Sequence, residues 1–110
     1  MDVVNHEALL ELKEVMEDDF GLLIDTFLAD GPERIEELKR NLSDGQLTEM
    51  EKPAHTLKGS SSNIGAMMLA AACADLVDQI RAGAVADPAA SIVAIEAEFA
   101  AAKVALLTYL

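Results

Sequence analysis

One stretch decides the fold: residues 47–82, which read LTEMEKPAHTLKGSSSNIGAMMLAAACADLVDQIRA. Apolar and small side chains recur every three or four residues on both sides of Gly65, which places each set on one face of an α-helix. The first stripe comprises Leu47, Met50, Ala54, Leu57, Ser61 and Ile64, and the second comprises Leu69, Ala72, Leu76 and Ile80. Because glycine readily adopts the left-handed conformation that ends a helix, this stretch predicts helices over 47–64 and 66–82.

The same periodicity predicts three further helices outside this stretch. A short one spans 5–16 with Asn5 as its cap, and a long one spans 18–42. The last begins with Asp87 as the cap and Pro88 in the first helical position, and its apolar stripe is Ile92, Ile95, Phe99, Ala102 and Leu106. Long amphipathic helices with short connections predict an all-α fold, an antiparallel up-and-down four-helix bundle with a short extra N-terminal helix capping one end.

Two prolines bear on these boundaries. The apolar spacing continues through Gly31 and Pro32, which favours one long helix kinked at Pro32; the alternative is two helices broken at Asp30. Pro53 would delete a hydrogen bond to the carbonyl of Glu49 in a helix that begins at residue 47. That helix is therefore expected to start late or to bend near this position.

Composition excludes several classes of protein. The 110 residues suit a single domain over 1–110, and with 52% hydrophobic but only 4% aromatic residues the core must be aliphatic. A net charge of −12 argues against nucleic acid or an anionic membrane surface as partner. The N-terminus has no signal-peptide pattern and the longest apolar run, 64–74, is too short to cross a bilayer, so we expect a cytoplasmic protein. A lone cysteine, Cys73, excludes an intrachain disulfide and is expected to be buried and inert.

Helix 47–64 carries the candidate chemistry. His55 follows the core residue Ala54, and one residue is a rotation of about 100°, so His55 should point to solvent beside Lys52 and Lys58. An exposed histidine is most often simply a solvated polar residue. However, a neutral imidazole is a good nucleophile near neutral pH, and a lysine one turn away can steady an incoming phosphoryl oxygen. Glycine within a helix lowers the stability of the helix relative to alanine, so another requirement should explain the presence of Gly59.

These residues lie in Ala54-His55-Thr56-Leu57-Lys58-Gly59-Ser60-Ser61-Ser62-Asn63-Ile64-Gly65-Ala66, which resembles the signature of histidine-phosphotransfer domains. The family implies a four-helix bundle without kinase activity whose histidine, here His55, accepts a phosphoryl group from an aspartate of one response-regulator receiver domain and passes it to another. One of these receivers can belong to a hybrid sensor kinase. Lys58 would be the cation beside the phosphoryl group, and Gly59 would give the partner access. Gln79, or less favourably Arg81, would support the site from the next helix.

The resemblance also bears on the cofactors and partners of the chain. It would contain no cofactor, since magnesium and an acidic phosphorylation pocket belong to the receiver, and we expect a monomer. The receiver should dock on an apolar patch around His55, with Lys58 and Arg81 as local contacts and Met67 or Met68 as members.

Other functions fit the residues less well. A metal ion at His55 is disfavoured by Lys52 and Lys58, and the sequence has no nucleotide-binding or calcium loop. A hydrolase using His55 would lack a visible base, oxyanion donors and a pocket. His6 is expected at the surface near the N-terminus. The remaining alternative is a helical protein-interaction module that keeps the fold without being phosphorylated.

Overall fold

The computed structural model describes residues 2–110, which form α-helices and no strand. The helices are α1 (His6–Met16), α2 (Asp19–Ser43), α3 (Glu51–Asn63), α4 (Met67–Arg81) and α5 (Pro88–Leu107), and a short 3₁₀ turn (Thr48–Met50) precedes α3. Helices α2 and α4 each pack against both α3 and α5, and α1 packs against α2. The four long helices thus form a bundle in which α3 and α5 are diagonal, so the predicted all-α bundle with an extra N-terminal helix is confirmed.

The helix ends follow the predicted capping residues. The side chain of Asn5 accepts a hydrogen bond from the Ala8 N–H at 3.1 Å, and that of Asp87 accepts one from the Ala90 N–H at 3.0 Å. Gly65 ends α3 in the left-handed conformation, with φ of 78°. Since few other residues adopt this conformation without strain, Gly65 fixes the tight turn that brings α4 back against α3.

Helix α2 is continuous from Asp19 to Ser43, so the alternative of a break at Asp30 is wrong. Gly31 allows α5 to approach α2 closely, because a Cβ atom at this position would lie 2.2 Å from Cε2 of Phe99. The Phe99 ring in turn packs against Phe27 at a centroid distance of 5.7 Å. Gly31 therefore belongs to the core of the bundle.

The prediction that the third long helix begins at Leu47 is wrong. Leu47 is exposed, residues 48–50 form the 3₁₀ turn, and α3 begins at Glu51. Pro53 is thereby the third residue of α3, in the first turn, where backbone N–H groups have no partner within the helix. The late start thus spares the hydrogen bond that Pro53 would remove from a helix beginning at 47.

The predicted apolar stripes otherwise face the core. All five stripe residues of α5 are buried, whereas Ala72 and Ile80 of the α4 stripe are half-buried. Cys73 is buried, as expected. No helix within residues 2–110 combines the length and the hydropathy of a membrane-spanning segment.

Helix α1 is attached to the C-terminal end of the chain. The Lys13 ammonium donates a hydrogen bond to the Tyr109 carbonyl at 2.8 Å, and the exposed His6 ring is hydrogen-bonded to the Tyr109 hydroxyl. The side chain of His6 is therefore at the surface, as predicted, but is held in place by Tyr109, which follows the end of α5.

Candidate functional site

The orientation of His55 is set by the buried face of α3. Ala54, Leu57 and Ser61 are fully buried on that face. The Ser61 hydroxyl donates to the Leu57 carbonyl at 2.6 Å, which satisfies the one polar side chain among the buried residues of positions 2–110. Because His55 is one residue beyond Ala54, its side chain projects away from the core and is exposed.

Gly59 leaves open space one turn along α3 from His55. It is exposed, and a Cβ atom there would meet no heavy atom of a neighbouring group within 4 Å. Packing between helices therefore does not require glycine at this position, in contrast to Gly31. Side chains on a helix lean towards its N-terminus, so a long side chain at position 59 would lean over the imidazole of His55.

Positive charge flanks His55 on α3. Lys58 is half-buried and Lys52 is exposed, and neither forms a salt bridge with any residue in the described part of the chain. The nearby carboxylate of Glu51 accepts a hydrogen bond from Nε of Arg81 at 2.7 Å. Since Arg81 offsets the charge of Glu51, the two lysines are left to act on an anion that approaches His55.

Of the two candidates from α4, the structure brings Arg81 and not Gln79 to α3. Arg81 contacts Glu51, which is one turn before His55, whereas Nε2 of Gln79 donates to Asp75 of its own helix at 2.8 Å. Two residues correspond to a rotation of about 200°, so Gln79 and Arg81 lie on nearly opposite sides of α4. Arg81 is thus paired with a residue of α3, whereas the preference for Gln79 as the residue that supports His55 stays a prediction.

A groove between α2 and α3 was missed by sequence reasoning. This cavity, of about 230 Å³, is lined by Leu23, Thr26, Phe27, Asp30, Ser60, Asn63 and Ile64. Its acidic member, Asp30, is paired with Nε of Arg34 at 3.4 Å, and its apolar part is formed by Leu23, Phe27 and Ile64. We call it the α2–α3 groove.

Met67, which was expected near His55, lies beyond the opposite end of α3. It lines a separate cavity of about 420 Å³ together with Val4, Asn5 and His6 of the N-terminal segment. Met68 is half-buried in the first turn of α4. The α2–α3 groove, in contrast, is lined by Ser60 and Asn63 of the helix that carries His55.

The site presents one exposed nucleophile, the imidazole of His55. No group of three or more histidine, cysteine or acidic side chains that could hold a metal ion occurs among residues 2–110. An imidazole on a rigid helix, with lysines beside it and open space at Gly59, can receive a group that a partner protein presents.

Comparisons with known proteins agree with the helical-bundle fold. The model of the Hpt domain family matches residues 22–105. Among solved structures, the chain is similar to the crystal structure of histidine-containing phosphotransfer protein B (HptB) from Pseudomonas aeruginosa PAO1, with a TM-score of 0.92 and 36% sequence identity. The match covers 97% of this chain and 93% of that one. No curated protein matched the sequence.

Proposed function

The chain belongs to the histidine-phosphotransfer (Hpt) domain family, and we propose that it is a phosphorelay intermediate that carries the phosphoryl group on His55. In this proposal His55 accepts the group from an aspartate of one receiver domain, such as that of a hybrid sensor kinase, and donates it to an aspartate of a response-regulator receiver. The chain acts as a carrier in the cytoplasm, without a kinase or nucleotide site of its own.

The observation that carries this proposal is the access to His55. Its imidazole is exposed on a helix whose other face is fixed in the core, and the next turn presents the open space of Gly59. A receiver aspartate lies in a pocket, so the histidine must enter that pocket. A helix surface without a side chain at position 59 permits this approach.

The transfer step needs only one nucleophile from this chain. The unprotonated ring nitrogen of neutral His55 attacks the phosphorus of the aspartyl phosphate, a P–N bond forms, and the P–O bond to the aspartate breaks. The aspartate leaves as a carboxylate, while the other ring nitrogen keeps its proton. The reverse reaction delivers the group to the second receiver, and in both directions the receiver supplies magnesium.

Lys58 and Arg81 have different roles in this proposal. Lys58 has no ion pair within residues 2–110, so its ammonium is available to a phosphoryl oxygen at His55. Arg81 acts indirectly, since it holds the Glu51 carboxylate at 2.7 Å and limits its repulsion of the phosphoryl group. The receiver docks over His55 and the α2–α3 groove, in a small and transient interface.

The proposal is tested by incubating the chain with a phosphorylated receiver domain and following the phosphate. We expect phosphate on the chain that is labile in acid and stable in alkali, as for phosphohistidine and unlike aspartyl phosphate. His55→Gln should abolish it without unfolding the domain, and His6→Gln is the matched control because His6 is the chain's second histidine. A His55→Gln variant that is still phosphorylated would refute the assignment.

The same assay tests Lys58. Lys58→Ala should slow phosphorylation or shorten the lifetime of the phosphohistidine, whereas Lys52→Ala, an equal loss of charge, should have a smaller effect. If the wild-type protein binds a receiver but never takes up phosphate, the chain is an interaction module that keeps the fold but is not phosphorylated.

A further inference from the structure

The outer face of α5 is apolar along its whole length. Six exposed residues on it alternate in steps of three and four, the heptad spacing of paired helices: Ala90, Val93, Ala97, Ala100, Val104 and Leu107. Val93 and Val104 are 64% and 69% exposed, so nothing in the described part of the chain packs over them. A helix that is apolar on its outer face as well as its inner face normally has partners on both, whereas α5 has them only towards α2 and α4.

We infer that this face pairs with α5 of a second copy of the chain, antiparallel and about a two-fold axis. The apolar positions are symmetric about a point between Ala97 and Ala100. When the order is reversed, Val93 meets the partner's Val104, and Ala97 meets the partner's Ala100. The small residues at the centre let the two helix backbones approach closely. A two-fold axis makes the surface self-complementary, as a closed dimer requires.

Charge complementarity supports the same register. Glu96 and Lys103 flank the apolar face on one edge, one heptad apart. In the antiparallel register Glu96 faces the partner's Lys103, and the symmetry axis creates this ion pair twice. In a parallel pair these residues would instead face the partner's Ala101 and the partner's Thr108, without compensation. The Glu96 carboxylate also contacts Nζ of Lys39 at 3.0 Å, through one of its two oxygens.

The low charge of α5 makes it the surface where two copies repel each other least. Residues 88–107 contain two glutamates and one lysine, a net charge of −1, whereas the whole chain carries −12. Glu98, the second glutamate, lies outside the paired edge. Repulsion between copies therefore disfavours most other surfaces more than this one.

The size of the face predicts a weak dimer. Seventeen steps from Ala90 to Leu107 correspond to about 26 Å, and a helix is about 10 Å wide, so the face presents roughly 260 Å² in projection. A standard interface buries about 800 Å² per partner. Since α3 is diagonal to α5, His55 stays accessible in both copies, and the pairing does not depend on the proposed phosphoryl transfer. The dimer that we infer differs from the monomer expected from the sequence.

Sedimentation equilibrium on the full chain tests the pairing, from about 10 µM to about 2 mM and at about 0.15 M salt, where long-range repulsion is screened. We expect a reversible monomer–dimer equilibrium. Ala97→Glu should weaken it at least about tenfold, because it buries a charge at the centre of the pair. Ala29→Glu makes the same change at an exposed position of α2 and should leave the equilibrium unchanged.

A mixing experiment tests the register. Glu96→Lys and Lys103→Glu should each weaken self-association, because each places like charges opposite one another. An equimolar mixture should associate more strongly than either variant alone, since the mixed dimer restores both ion pairs. The inference is overturned if the wild type is monomeric at the highest concentration, if Ala29→Glu acts like Ala97→Glu, or if the mixture associates no better than its components.

Discussion

At the scale of single residues, two glycines within helices have opposite reasons to be there. A Cβ atom at Gly31 would lie 2.2 Å from the Phe99 ring, whereas one at Gly59 would meet nothing within 4 Å. Helix propensity disfavours glycine at both positions by about 1 kcal/mol relative to alanine. Packing explains the first glycine, and in the function that we propose access to His55 explains the second.

We therefore expect alanine to change stability in opposite directions at these positions. Gly59→Ala should raise the free energy of unfolding by up to about 1 kcal/mol. Gly31→Ala should lower it by about 1–3 kcal/mol, because the Phe99 ring must move. Urea denaturation of both variants measures this difference, and a less stable Gly59→Ala protein would contradict the open site. Gly59→Gln should stay folded but accept phosphate slowly.

Cys73 should respond to alkaline pH. Burial raises the pKa of its thiol from 9.0 to about 12. Between these values the unfolded chain has released the thiol proton and the folded chain still holds it. Unfolding in this pH range therefore releases a proton. The stability gained by burying the neutral thiol is complete below pH 9 and falls as the pH rises towards 12. Denaturation curves of wild type and Cys73→Ala should show a steeper alkaline decline for the wild type; parallel declines would contradict this.

At the scale of helices, the sequence predicted which helices form and which face of each is buried. It predicted less well where a helix begins. The stripes of α4 and α5 were found because helical periodicity is a local property, as Leu76 and Ile95 illustrate. The start of α3 was missed because Leu47 continues the spacing, although Pro53 favours the first turn of a helix. The α2–α3 groove and the Arg81–Glu51 pair depend on how neighbouring helices meet, which one sequence does not specify.

Pro32 offers a test at this scale, because α2 continues through it. Proline cannot donate to the carbonyl of Leu28, so Pro32→Ala should restore a helix hydrogen bond and raise the free energy of unfolding by about 1–3 kcal/mol. Pro53→Ala is the matched control and should bring no gain, because residue 53 lies in the first turn of α3 and its ring is buried. Thermal melts that rank the two variants the other way would contradict this description of α2.

At the scale of the whole molecule, the charge of −12 shapes how partners can bind. The receivers that we propose as partners have an acidic phosphorylation pocket, so long-range attraction should be weak. Docking then depends on apolar contact at the α2–α3 groove and on the lysines beside His55. Phosphoryl transfer should change by less than about threefold between about 0.05 and 0.5 M salt, whereas attraction by opposite charge would give a steep decline. Initial rates in a salt series measure this.

A pulse–chase experiment tests the central claim most directly, that His55 carries the phosphoryl group between receivers. A labelled, phosphorylated receiver is mixed with the chain, and an excess of a second, unlabelled receiver is then added. We predict that the label appears first on the chain, at His55, and then on the aspartate of the second receiver, and that His55→Gln blocks both steps while His6→Gln blocks neither. Label that reaches the second receiver equally well through His55→Gln would contradict the account.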